Sequence, residues 1–131
     1  MAVNGPIILV DDDEDDVFLI KTALEELSIS NEVRVFRHGL DALHYFQQLP
    51  ANPFVVISDL NMPVMNGLEL LDALTQQKLL PSGFPFVFLT TSDVSAIPKQ
   101  VLTEGRFSFF TKGYSYEQIL ETMSMVIERG R

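Results

Sequence analysis

Acids, hydroxyls and one ammonium stand where short apolar runs end. Asp11 and Asp12 follow the run Pro6 to Val10, Asp59 follows Phe54 to Ser58, Thr90 and Thr91 follow Phe86 to Leu89, and Lys112 follows Arg106 to Phe110. If these runs are parallel strands, their carboxyl ends open onto one crevice, where three acids, a hydroxyl and an ammonium converge. Three carboxylates at close range repel and raise one another's pKa. A cation removes that cost. Oxygen donors favour a hard divalent ion, and Mg²⁺ takes one or two carboxylates while keeping waters that substrate oxygens can replace. Lys112 adds a second positive charge able to meet phosphate as a point charge, and Thr90 adds a hydroxyl donor. Such a set is a receptacle for a phosphoryl group. Its acceptor is a carboxylate oxygen and its product an acyl phosphate, with catalysis by positioning and charge neutralisation. Each piece alone has an ordinary structural explanation; the weight lies in their joint placement at four strand ends.

The elements that must position these residues alternate along the chain. After the first run, Val17, Ile20, Leu24 and Leu27 fall at helical spacing, with Asp and Glu crowding the first turn, where the helix dipole favours them. A second run spans Glu32 to Phe36. It precedes a helical pattern that follows Gly39, with Leu40, Leu43 and Phe46–Gln47 near one side and Pro50 and Pro53 bracketing its exit. Leu68, Leu71 and Leu74 mark a third helix after the turn-forming segment Asn61 to Gly67. A weaker fourth helix is expected around Val94 to Glu104, with Pro98 inside it. Ile119, Leu120, Met123, Val126 and Ile127 mark a fifth. Strands that are apolar throughout point to a parallel sheet buried on both faces, and right-handed crossovers then give a doubly wound α/β fold.

Composition narrows the function classes. The 131 residues are 47% hydrophobic and carry nine Lys and Arg against eighteen Asp and Glu, a net charge of −9. That suits one folded domain over residues 1–131. The charge argues against nucleic acid and anionic membranes as direct partners. The absence of cysteine excludes thiolate chemistry and disulfides. No apolar run is long enough to span a bilayer, and the N-terminus lacks the marks of a signal peptide, so a cytoplasmic protein is expected.

The strings ILVDDDEDD, VVISDLNMPVMNGLELL, FVFLTTS and FFTKG, spread over Ile7 to about Ile127, resemble those of a response-regulator receiver domain. The resemblance implies a flavodoxin-like sheet of order 2-1-3-4-5 and a switch of a two-component phosphorelay rather than an enzyme with turnover. It implies that Asp59 accepts the phosphoryl group. Asp12 is then a direct Mg²⁺ ligand, Asp11 acts mostly through water, and the backbone carbonyl of Asn61 is the third protein ligand. Thr90 is the hydroxyl that turns toward the phosphoryl group, Lys112 the lysine that contacts it, and Phe109 the switch aromatic. Pro63 and Gly67 shape the loop after Asp59. The implied donor is the phosphohistidine of a histidine kinase or phosphotransfer protein. The implied output is a protein target docking on the face of the fourth helix, fifth strand and fifth helix.

The chain departs from the family pattern at Lys112-Gly113, where proline is usual and where a trans bond is expected with glycine. It departs again at Thr91, larger than the residue usual there. Asp13 and Asp15 read as solvated helix-start residues, and His38 and His44 as surface residues. An EF-hand reading of Asp11, Asp13 and Asp15 fails for want of the turn glycine and the final Glu. A dehalogenase-type phosphohydrolase wants a second Asp two residues after the nucleophile, where Asp59 has Asn61. A receiver that only binds, without phosphorylation, sits poorly with the full set of five residues.

Overall fold

The computed structural model describes residues 5–48, 53–80, 85–90, 108–112 and 115–130. Strands β1 (Ile7–Val10), β2 (Val33–Phe36), β3 (Val55–Asp59), β4 (Phe86–Thr90) and β5 (Ser108–Thr111) form one parallel sheet of order β2-β1-β3-β4-β5. Helices α1 (Glu14–Glu26), α2 (Gly39–Gln48), α3 (Gly67–Gln76) and α4 (Tyr116–Gly130) are the long ones among the described residues. α4 is the fifth helix expected from the sequence. The helix expected around Val94 to Glu104, Thr91 and the Lys112–Gly113 bond lie outside the described residues.

The sheet is buried on both sides, which is why β1, β3 and β4 read as continuous apolar runs. Side chains alternate between two cores. On one side Ile7, Leu9, Val55, Ile57, Val87 and Leu89 meet α1 and α4 through Ile20, Leu24, Met123 and Val126. On the other Ile8, Val10, Val56, Phe86 and Phe88 meet α2 and α3 through Leu43, Phe46, Leu70 and Leu74.

The buried face of α2 differs from the expected one. Gly39, Ala42, Leu43 and Phe46 are buried, while Leu40 is 39% exposed and Gln47 faces solvent. The helix lies so close to the β3–α3 loop that a Cβ on Gly39 would come within 3.0 Å of the Met65 carbonyl oxygen. At that first turn glycine, not Leu40, therefore faces inward. α3 repeats the spacing with Gly67, Leu70, Leu71 and Leu74 buried, and Leu68 only packs at the edge of the core.

The strand order reverses beside β1, which has β2 on one flank and β3 on the other. That switch point opens a crevice at the carboxyl ends of β1 and β3, where Asp11 and Asp59 stand.

Candidate functional site

Two loops shape the crevice. After β1, Asp13 caps α1: its Oδ1 accepts hydrogen bonds from the backbone N–H groups of Asp15 and Asp16 at 2.9 and 3.1 Å. Asp13 in turn donates its own N–H to Asp11 Oδ1 at 2.9 Å, which fixes the Asp11 carboxylate. Asp13 and Asp15 are thus exposed residues of the helix start, as expected.

After β3, Asn61 N–H donates to Asp59 Oδ1 at 3.3 Å, and Gly67 N–H donates to the Leu60 carbonyl at 3.0 Å. A Cβ on Gly67 would lie 2.6 Å from the Asp59 carbonyl oxygen and 2.8 Å from Phe88 Cε1. No other residue fits there without a shift. Asn66 and Glu69 form a reciprocal cap on α3. Between these anchors Met65 N–H donates to the Pro63 carbonyl at 2.8 Å, with Val64 at φ 68° and 86% exposed. This is a tight γ-turn with a β-branched residue at a positive φ that such residues rarely adopt.

Carboxylate oxygens of Asp11, Asp12 and Asp59 lie within 4.8 Å of one another. Asp11 and Asp59 are buried, and Asp12 is exposed. Lys112 enters from the end of β5, held by its N–H to the Thr90 carbonyl at 2.8 Å. Its Nζ lies 2.9 Å from Asp11 Oδ2, 2.7 Å from Asp16 Oδ2 and 3.6 Å from Asp59 Oδ2.

Burial pushes the Asp59 carboxyl up to about 6, against the attraction of Lys112 and with further repulsion from Asp11 and Asp12. Burial also raises Asp11, opposed by its bonds from Lys112 and the Asp13 N–H. Burial alone would lower Lys112, but its bonds to Asp16 and Asp11 and the nearby Asp59 outweigh that and hold it above the usual lysine range. One ammonium does not neutralise so many carboxylates. Exclusively oxygen donors, an excess of negative charge and an exposed Asp12 fit a hard divalent cation.

Thr90, fully buried, ends β4 opposite Thr111. Phe109 is half-buried, and its ring stacks on Phe88 at 5.3 Å between centroids, on the α2–α3 side. His38 and His44 are exposed. Reasoning from strand ends missed Asp16, which reaches Lys112 from the first turn of α1; nothing local in the sequence marks it for that contact.

The model of the response regulator receiver domain matches residues 7–124. The chain belongs to this family. The four sequence strings and the strand order expected from them are borne out together. The receiver is 31% identical over 118 residues to the probable transcriptional regulator ycf29 of Pyropia yezoensis, covering 88% of this chain and 51% of that protein. It is 34% identical over 91 residues to the response regulator Rcp1 of Synechocystis, 66% of this chain and 61% of the relative. The chain thus spans between half and two thirds of the length of these two relatives.

Among solved structures, the Mn²⁺-bound form of Rcp1 superposes with a TM-score of 0.75 at 26% identity, covering 93% of this chain and 91% of that one. The phosphorylated cyanobacterial phytochrome response regulator RcpA gives 0.78 at 26% identity, covering 95% and 92%. Receiver domains of this kind are signalling modules of two-component systems. Among the described residues, no helix of this one is long and apolar enough to cross a membrane.

Proposed function

We propose that this receiver is switched by transfer of a phosphoryl group from a partner phosphohistidine to Asp59. The observation that carries the reading is the buried Asp59 carboxylate at the end of a central strand, within 4.8 Å of the Asp11 and Asp12 carboxylates and 3.6 Å from the Lys112 ammonium. A carboxylate oxygen of Asp59 attacks phosphorus, the P–N bond breaks, and its electron pair returns to the imidazole, which leaves. The product is an acyl phosphate.

Asp11, Asp12 and Asp59, with the Asn61 backbone carbonyl, would hold Mg²⁺, which when bound supplies positive charge against the carboxylates and the transferred group. Lys112 stands close enough to Asp59 to meet added oxygens as a point charge. The Thr90 hydroxyl donates to one of them, and Phe109 takes the space that Thr90 leaves. That repacking carries the signal to a protein target on the surface around β5 and α4. The chain acts as a cytoplasmic switch, with no turnover beyond its own phosphotransfer and dephosphorylation. Its donor is a histidine kinase or a phosphotransfer protein. The Mn²⁺-bound and phosphorylated relatives support both the cation and the modification.

The test is labelling by a small phosphoryl donor such as acetyl phosphate. Wild type takes up phosphate with Mg²⁺ and loses uptake in excess chelator, and Asp59→Asn takes up none in either condition. Stoichiometric labelling of Asp59→Asn would overturn the reading.

A further inference from the structure

Lys112 has a partner that phosphoryl transfer does not explain. The lysine lies beside a narrow gap lined by Asp16, Ile20, Leu89, Ile119, Thr122 and Met123, between α1, β4 and α4. Its side chain is 9% exposed. Two of its three N–H donors are committed to Asp16 at 2.7 Å and Asp11 at 2.9 Å. Asp59, at 3.6 Å, is beyond hydrogen-bond range. Asp11 also belongs to the cluster suited to a cation, and Asp16 does not. A cation drawing on Asp11 weakens that carboxylate's hold on the ammonium, while Asp16 keeps its whole charge for Lys112. The bond joins residues 96 positions apart, the first turn of α1 to the end of β5.

We propose that Asp16 is a positioning residue: it holds the Lys112 ammonium back from Asp59 until a phosphoryl group competes for it. The proposal rests on Asp59 being the phosphoacceptor. The lysine's contribution to binding a phosphoryl group is the difference between the ion pair it gains and the one it gives up. A neutral isostere at position 16 removes the competitor, so the site accepts the anion more readily. Asp15 supplies a charge-matched control. It is exposed in the same helical turn, and among the described residues the ion-pair partners of Lys112 are Asp11, Asp16 and Asp59.

The experiment titrates beryllofluoride, a phosphoryl mimic, at saturating Mg²⁺, with binding read by fluorine NMR and the Lys112 ammonium followed by NMR at Nζ. Asp16→Asn is expected to bind about fivefold tighter, while Asp15→Asn and Asp16→Glu stay close to wild type. Without ligand, the Nζ resonance shifts in Asp16→Asn and stays in place in Asp15→Asn. In a Lys112→Met background, Asp16→Asn adds no further tightening. Should that background not fold, the Nζ resonance and the Asp15 control decide. Unchanged or weaker binding in Asp16→Asn, an equal gain in Asp15→Asn, or a gain that survives Lys112→Met would each overturn the proposal. If Asp59→Asn binds beryllofluoride as well as wild type, the phosphoacceptor reading falls and the positioning role with it. If wild type binds through Asp59 and Asp16→Asn binds no tighter, the positioning role alone falls.

Discussion

On the α1–α4 side of the sheet, Leu9, Ile57 and Phe110 lead by two-residue alternation to Asp11, Asp59 and Lys112. On the α2–α3 side, Phe86 and Phe88 lead to Thr90, and Phe88 stacks on Phe109 of the neighbouring strand. One side therefore collects charge at the crevice, and the other collects a row of rings. β4 joins them: its Leu89 carbonyl accepts the Leu60 N–H at 3.0 Å, and its Thr90 carbonyl accepts the Lys112 N–H at 2.8 Å. Phe88 also packs within van der Waals reach of the Gly67 position beside Asp59. Chemistry on one side and packing on the other thus share a backbone, the arrangement a switch needs. Electrostatic changes should then act mainly on the charged side, and volume changes mainly on the aromatic side.

The largest test of that division is Lys112→Met. It leaves buried carboxylates without their cation and should cost about 3 kcal/mol in metal-free urea unfolding. Saturating Mg²⁺ should restore much of the loss. A loss that Mg²⁺ does not touch would mean that Lys112 contributes through packing.

Asp59→Asn should act in the opposite sense. Asp59 titrates near 6 in the folded chain against 3.8 as the ordinary value. An acid whose pKa is raised by folding stabilises the fold below its unfolded pKa, and that contribution is lost as pH rises through the folded one. Wild-type stability in chelator should therefore fall relative to Asp59→Asn between about pH 4 and pH 6, by roughly 3 kcal/mol in all, and hold that gap above pH 6. Urea unfolding of both proteins across that range checks this; a gap independent of pH would contradict it.

These residues show how much the sequence disclosed. Asp11, Asp12, Asp59, Thr90 and Lys112 were legible because each follows an apolar run, and a parallel sheet gathers strand ends at one edge. The five strands were legible for the same reason. The pairing of Asp16 with Lys112 was not, since nothing local ties the first turn of α1 to the end of β5. Leu40 reads as part of the apolar side of α2 because its type is apolar; the close approach of Gly39 to Met65 decides the buried face at that turn, and it is a tertiary fact. In Pro63-Val64-Met65, no local signal marks valine as the residue that must take a positive φ.

On the aromatic side, Phe88→Leu should cost about 1.5 kcal/mol through lost ring stacking and a small cavity. It should leave Mg²⁺-dependent labelling within a few-fold of wild type. Loss of labelling in a folded Phe88→Leu protein would show that the two sides cannot be perturbed separately. The smallest effect belongs to the loop between them. Val64→Asn buries nothing and tolerates the positive φ, so it should raise stability by about 0.5 kcal/mol, seen as a higher urea midpoint at unchanged slope.

The most direct measurement is chemical trapping of the acyl phosphate. Borohydride reduces an aspartyl phosphate to homoserine, and peptide mass spectrometry then locates the converted residue. After incubation with acetyl phosphate and Mg²⁺, the conversion is predicted at Asp59, absent when chelator replaces Mg²⁺. Homoserine at Asp11 or Asp12, or an unconverted Asp59 in a protein that has taken up phosphate, would contradict the account.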